Sequence, residues 1–308
     1  MTAVERLVVI LGPTATGKSA LATHLAQRLG GEILACDSTQ IYRRFDIGTA
    51  KVSPHAREGI PHHLVDLAEP EDVFTAGDYR RRAIEVLNEL RRRGKIPILT
   101  AGTGLYLRAL LEGLADAPAR SEELRAHLRE RAETRGAQYL HRLLRRLDPE
   151  SASRIAPRDA QKLIRAVEIR VLARKPIAEV YGAGREPLEG WHAVKIGLLP
   201  PRDALYARIN ERVEAMIAAG WLNEACALAA SGSSRRAKPF QFIGYSDLLE
   251  VIEGRATIDA AIKHIQQATR QFAKRQITWF RREPGIHWLS GFGDDPAIAA
   301  AALKLLNS

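Results

Sequence analysis

The segment Gly12-Pro13-Thr14-Ala15-Thr16-Gly17-Lys18-Ser19 fits the pattern G-x-x-x-x-G-K-[ST], and it constrains the fold more than any other part of the chain. Its context is the one such a loop requires. The apolar run Leu7–Leu11 precedes it and reads as a buried strand. Ser19–Leu29 follows with Leu21, Leu25 and Leu29 at helical spacing. Successive backbone N–H groups of the loop and the partial positive charge of the helix N-terminus make a cradle for phosphate oxygens. Lys18 adds a mobile full charge, and Ser19 a hydroxyl suited to a magnesium ion. A di- or triphosphate fits such a loop; the loop does not say which compound carries it.

Alternating strand and helix signals extend this start into a fold class. Glu32–Asp37 reads as a second strand and Ile96–Thr100 as a third. Phe74–Arg93 is helical and stops at Gly94; Val194–Leu199 and Ile286–Leu289 are later strands. The alternation predicts an α/β, P-loop-type parallel sheet with helices on both faces. Ligands of such sheets bind beyond the carboxyl ends of the strands. Gly12–Ser19, Asp37–Gln40 and Ala101–Gly104 each follow a strand directly and should share that rim.

Strand signals stop between residues 116 and 187. That stretch holds sixteen Lys/Arg against eleven Asp/Glu, an excess of five, half of the chain's net charge of +10. Pro118, Pro149, Pro157 and Pro176 break it into short helices. The expected organisation is a core of 1–115 and 188–308 interrupted by an all-helical basic insertion domain over 116–187. So large a basic excess, with a pI of about 9.8, makes nucleic acid or an acidic surface a candidate second partner. Two cysteines, Cys36 and Cys226, without a C-x-x-C argue against a zinc site and a disulfide framework, and suit a reduced cytoplasmic compartment. No apolar stretch approaches the length of a membrane span, so no membrane partner is expected.

Asp37, in Asp37-Ser38-Thr39-Gln40, has three readings: a ligand for magnesium, a general base, or a cap of a following helix. Gly102 and Gly104 around Thr103 permit either close approach of a ligand or a plain turn. Ile96–Thr100 lacks the terminal Asp that many phosphate-loop NTPases use to support magnesium, which argues against a motor or switch protein. His62 and His63 beside Asp66 lack a matching ligand set elsewhere. Near the C-terminus Arg270, Lys274 and Arg281 interleave with Phe272, Gln276, Trp279 and Phe280. This suits phosphates and unstacked bases, or equally an amphipathic helix with a solvated basic face.

Taken together, these motifs resemble those of the bacterial tRNA dimethylallyltransferases. GPTATGKS (12–19), DSTQIY (37–42), DIGTAK (46–51), PHHLVD (61–66) and GTGLYLRALLEG (102–113) occur in family order. QKLIRAVE (161–168), IGY (243–245) and ATRQFAKRQITWFR (268–281) follow. The resemblance covers nearly the whole chain. It implies transfer of a dimethylallyl group from dimethylallyl diphosphate to N6 of the adenosine 3′ of a tRNA anticodon. It makes residues 12–19 a pyrophosphate site, with Mg2+ at Ser19 and Arg212 as a second cation. Asp37 becomes the general base and Thr103 a positioning group. Contacts to the anticodon stem-loop are implied for Asp37, Ser38, Thr39, Gln40, Thr103 and Arg125. They are implied equally for Gln161, Lys162, Leu163, Ile164 and Arg165; for Phe240, Gln241, Phe242, Ile243, Gly244 and Tyr245; and for Lys274, Arg275, Gln276 and Arg281. A monomer is expected. Ala101 stands where Gly-Gly-Thr often begins, Phe242 where a smaller residue is usual, and Ser246 where a basic residue is common.

Two other classes fit parts of the pattern. A small-molecule kinase would put a nucleoside triphosphate in the loop and use Asp37 on a hydroxyl, but it leaves the basic insertion and the basic–aromatic helix unexplained. A non-catalytic RNA-binding protein sensing nucleotide leaves Asp37 and Thr103 on the rim without a task.

Overall fold

The structure is a computed structural model that describes residues 4–182, 184–235 and 237–307. It divides into two compact units, one of Met1–Leu111 with Glu189–Ser308 and one of Glu112–Leu188.

The first unit is built on six strands: β1 Glu5–Leu11, β2 Glu32–Cys36, β3 His62–His63, β4 Pro97–Ala101, β5 Trp191–Leu198 and β6 Ile286–Leu289. They form one all-parallel sheet in the order β3-β2-β4-β1-β5-β6. Helices connect them: α1 Lys18–Leu29, α2 Ala76–Arg92 and α3 Gly104–Glu112. In the second unit come α4 Glu122–Arg135, α5 Ala137–Leu147, α6 Pro149–Ser153, α7 Ala160–Ala173 and α8 Ile177–Gly182. The first unit resumes with α9 Arg202–Ala218, α10 Trp221–Ala230, α11 Tyr245–Ile252, α12 Ile258–Phe280 and α13 Pro296–Asn307.

The strand sequences follow from this position. β1 lies between β4 and β5 with both faces covered, so Leu7 to Leu11 is a continuous apolar run with no exposed residue. β2 is likewise buried throughout, whereas the edge strand β6 is partly exposed. Register decides where the rim lies. Leu11 pairs with Ala101, and Ala101 with Cys36, so β1, β4 and β2 end at one level. The segments that follow them therefore emerge side by side. Apolar side chains of α1 (Leu21, Ala22, Leu25) and α13 (Ala299, Ala302, Leu306) close over Val8, Ile10, Ile98 and Ile196 as one core. A second core gathers Tyr42, Phe45, Trp221, Phe240, Tyr245, Leu248 and Ile265.

Several boundaries differ from the sequence reading. α2 begins at Ala76, because Thr75 and Asp78 form a capping box that fixes the first turn. It ends one residue early, at Arg92, with Gly94 at φ +62° taking the left-handed turn beyond it. The second strand stops at Cys36, since Asp37 turns to accept the Thr39 N–H. The short strand β3 has no legible pattern in two histidines. The helical unit runs over Glu112–Leu188, a few residues wider than 116–187, because Ala115 bridges to Arg185 and draws both connecting segments into it.

The helical unit has its own core of Leu128, Leu140, Leu144, Leu163, Val167, Ile169, Ile177 and Val180. At its centre Glu168 is fully buried and accepts from Arg125 (2.8 Å from both Nε and Nη2), Arg165 Nη1 (2.6 Å) and the Ser121 N–H (2.9 Å). Burial alone would raise its pKa. The two guanidiniums and the amide outweigh it and hold the carboxyl at about 2. Removing one partner of such a buried cluster typically costs about 3–5 kcal/mol. Glu168→Gln is accordingly expected to destabilise the helical unit by that order, measured by chemical denaturation. Because the folded pKa is depressed, the stabilisation is complete above about pH 4.5 and is lost as pH falls towards 2. Wild-type stability should fall across that window, and the variant should show less of this loss.

Candidate active site

The phosphate loop leaves β1 by a sharp turn that only glycine permits. Gly12 has φ +148°, and a Cβ there would lie 2.6 Å from the Leu198 carbonyl. The loop then winds so that Gly17, at φ +82°, starts α1 without a side-chain cap. Thr16 is fully buried and its hydroxyl donates to the Pro13 carbonyl, which braces the curve from inside (2.9 Å). Outside, Gly293 N–H donates to Thr16 O (2.8 Å), and Arg208 holds Asp294 with two bonds of 2.7 and 3.0 Å.

Thr14 to Ser19 of this loop line a cavity of about 880 Å³ together with Asp37, Ser38, Thr39, Gln40, Gly102, Arg208 and Arg212. Its apolar wall comes from Val213, Met216, Trp221, Phe242, Ile243 and Ile265, which belong to or pack on the second core. Two cations face the loop. Lys18 Nζ donates to the carbonyls of Gly12 (3.0 Å) and Pro13 (2.8 Å). Burial lowers its pKa to about 8; Asp37 opposes this and Arg212 adds to it. Burial and neighbouring Arg208 also lower the pKa of Arg212, against the pull of Asp37. Two desolvated positive groups beside a ring of loop amides define an anion site.

Asp37 sits at the end of β2. Its Oδ1 accepts from Thr39 N–H (2.9 Å) and Thr39 Oγ1 (2.7 Å). This is a local turn with no helix starting there, so the helix-capping reading is set aside. Oδ2 lies over Gly102, where an added Cβ would come within 2.5 Å of it. Thr103 Oγ1 accepts from Ser38 N–H (2.9 Å) and donates to Ser38 Oγ (3.2 Å), tying the β4 loop to the β2 loop. Gln40 Nε2 donates to the carbonyls of Thr49 and Ala50, both at 3.2 Å.

The other expected site residues divide sharply. Gln241, Phe242, Ile243 and Arg275 line the cavity. Lys274 and Arg281 are exposed on or just beyond α12. Phe240 and Tyr245 point into the second core, and Gly244 packs against the Trp221 ring, so these three carry the cavity wall rather than face a ligand. Gln276 also borders the cavity, but it is only 6% exposed and bonds to protein on both sides. In the helical unit Gln161 and Lys162 are exposed, Leu163 and Ile164 are buried, and Arg125 and Arg165 are engaged by Glu168. Helical phase explains the division: positions 163, 164, 167 and 168 turn inward on α7.

Three residues were missed. Glu224 accepts from the N–H groups of Asp46, Ile47 and Gly48 (2.9, 2.8 and 3.2 Å) and from Tyr245 Oη (2.6 Å), pinning the DIGTAK loop. Lys51, 4% exposed at its side chain, binds Asp46 (2.7 Å), Asp66 (2.6 Å) and the Tyr42 carbonyl (2.6 Å). Arg208 secures the C-terminal segment described above. Lys51 carried a signal, a lysine closing one motif with aspartates in that motif and the next. Glu224 carried none. Among the described residues no group of three or more His, Cys, Asp or Glu is arranged to hold a metal, and no helix is long and apolar enough to cross a membrane.

A parallel sheet with a phosphate loop, two cations and a carboxylate on one rim is the architecture of a transferase acting on a diphosphate or triphosphate. Residues 40–283 match the family model described as IPP transferase. The chain is 51% identical to the tRNA dimethylallyltransferase of Koribacter versatilis over 98% of both chains, and 43% identical to that of Geobacter sulfurreducens over 97% and 96%. Among solved structures it resembles the tRNA isopentenylpyrophosphate transferase of Staphylococcus epidermidis (34% identity, TM-score 0.69, 98% of both chains). It also resembles a eukaryotic dimethylallyltransferase acting on tRNA (27% identity, TM-score 0.80, covering 95% of this chain and 75% of that one). The chain belongs to the IPP transferase family.

Lys18 supplies a pH test of the anion site. Its charge is present below about pH 8 and lost above it. Pyrophosphate affinity measured by calorimetry should therefore weaken between pH 7 and 9.5, approaching about tenfold per pH unit, with proton uptake on binding at the upper end. Lys18→Met should bind weakly at every pH and lose the steep alkaline slope.

Proposed function

We propose that the protein transfers a dimethylallyl group from dimethylallyl diphosphate to N6 of the adenosine 3′-adjacent to a tRNA anticodon. The observation that carries this reading is the cavity beside the phosphate loop. It joins an anion cradle, a carboxylate and an apolar wall, matching the diphosphate, the reacting amine and the five-carbon chain in turn.

The residues present suit each step. Amides of Ala15 to Ser19, with Lys18 and Arg212, would hold the diphosphate and stabilise the charge that accumulates as its carbon–oxygen bond breaks. The Ser19 hydroxyl, an oxygen donor beside the anion site, would hold an Mg2+ ion, which would add positive charge next to the leaving group. The exocyclic adenine amine is a weak nucleophile, because its lone pair is delocalised. Asp37 Oδ2 would take its proton as the carbon–nitrogen bond forms. Thr39 would keep that carboxylate in place, with Thr103 and Ser38 tying the two loops beside it. A base stacked in an anticodon loop cannot reach such a cavity, so the adenosine would be flipped out of its stack. Gln40, Gln241, Phe242 and Arg275 stand where they would meet it and its neighbours. The exposed cations of the helical unit, Lys162 among them, would hold the RNA backbone.

Asp37→Ala is expected to leave pyrophosphate and tRNA binding nearly intact and to slow single-turnover transfer by roughly a hundred- to ten-thousand-fold. A rate within a few-fold of wild type would remove Asp37 as the base. The decisive assay is incubation of unmodified tRNA with labelled dimethylallyl diphosphate, beside a parallel ATP-turnover control.

RNA affinity should fall linearly in log–log terms with salt, with a slope of roughly 0.7–0.9 per neutralised phosphate. Lys162→Ala should reduce the slope by about one at most and leave the transfer rate at saturating RNA unchanged. Arg165→Ala should instead lower the melting temperature, since Arg165 is spent on Glu168.

A further inference from the structure

Gln276 is a polar residue on an apolar stripe. Along α12 the inward positions are Ala261, Ile265, Ala273, Gln276 and Phe280, so a glutamine occupies a core position between an alanine and a phenylalanine. Burying an amide there is costly unless both ends are paired. Both are. Its Oε1 accepts the Thr14 N–H at 2.8 Å, and its Nε2 donates to the Gly102 carbonyl at 2.8 Å. Thr14 belongs to the phosphate loop. Gly102 lies under Asp37 Oδ2 and precedes Thr103, which holds Ser38. One rigid side chain thus spans the loop that would carry the donor and the loops that carry the carboxylate.

The chemistry of the pair of bonds explains the residue type. The gap needs one acceptor and one donor a short distance apart. Glutamate offers no donor to the Gly102 carbonyl when ionised, and leucine leaves both backbone groups unpaired.

We propose that Gln276 is a positioning residue for the transfer reaction, fixing the phosphate loop against the Asp37–Thr103 rim and making no contact with RNA. The proposal rests on the prenyl-transfer reading above. Gln276 borders the cavity, but both ends of its amide are committed to Thr14 and Gly102. Its loss would change the distance between leaving group and base while leaving each half able to bind. Misplacement of reacting groups by about 1 Å can cost on the order of a hundredfold in rate.

The test uses the full chain as wild type, Gln276→Ala and Gln276→Glu, each with a thermal melt. Pyrophosphate binding is read by calorimetry, binding of an unmodified anticodon stem-loop by filter retention, and transfer by single turnover with both substrates saturating. The expected pattern is RNA affinity within about twofold, pyrophosphate affinity within a few-fold, and a saturating transfer rate lower by about 10- to 100-fold in both variants. A saturating rate within twofold of wild type overturns the proposal. So does a large loss of RNA affinity with the saturating rate preserved, which would make Gln276 an RNA contact. Failure of both variants to fold also overturns it, reducing the residue to a structural brace. Wild-type transfer in the same assay separates the two claims. No transfer by wild type defeats the functional reading itself, whereas a fast variant beside an active wild type defeats only the role of Gln276.

Discussion

The level ending of β1, β4 and β2 is the constraint on which the rim depends. Parallel pairing brings Leu11, Ala101 and Cys36 into line, and each strand hands over to a different chemical segment at that point. A shift of one residue in either pairing would turn every inward side chain outward and stagger the three loops. The register is held by the burial of Val8, Ile10, Ile33 and Ile98, which α1 and α13 cover. Apolar packing thereby sets the separation of groups whose own interactions are polar and individually weak.

Above that sheet the rim is tied laterally as well as from below. Thr103 links the β4 loop to the β2 loop, and Gln276 links the β4 loop to the phosphate loop. The Gly293 amide and the Arg208–Asp294 pair hold the far side of the phosphate loop. Lys18 and Arg212 are both desolvated, and Arg212 acts on Lys18 as Arg208 acts on Arg212, which disfavours both charges. Such cost at a site is characteristic of a place kept ready for an anion rather than optimised for stability.

Much of this was legible in the sequence because its signals are local. The phosphate loop is a contiguous pattern, and the apolar runs of β1 and β4 have no competing reading. Gly94 marks the end of α2 to within a residue or two, whereas its start was set by a Thr75–Asp78 box that the sequence reading passed over. What escaped was set by long-range pairing. Gln276 looked like part of a basic–aromatic face, and only the partners at Thr14 and Gly102 show why it turns inward. Arg165 looked like a free cation until Glu168, three residues on, proved to be buried. Glu224 lies in an unremarkable helix, and its role depends on a loop about 180 residues away. Side chains that serve backbone groups of distant loops leave no periodicity to read.

The helical unit interrupts the sheet in sequence, and this has a consequence for how the chain is made. β1 needs β4 on one side and β5 on the other, yet Val8 meets Val194 only after the whole of Glu112–Leu188 has been synthesised. The last helix, α13, supplies part of the cover over α1. On the ribosome the nascent N-terminal segment must therefore wait with β1 paired to β4 alone and its apolar residues open along the edge that β5 will occupy. The helical unit, with short-range contacts and its own core, can condense in the meantime. Closure of the sheet by β5 and α13 is the late step, and chaperone dependence of biosynthesis should concentrate in that interval.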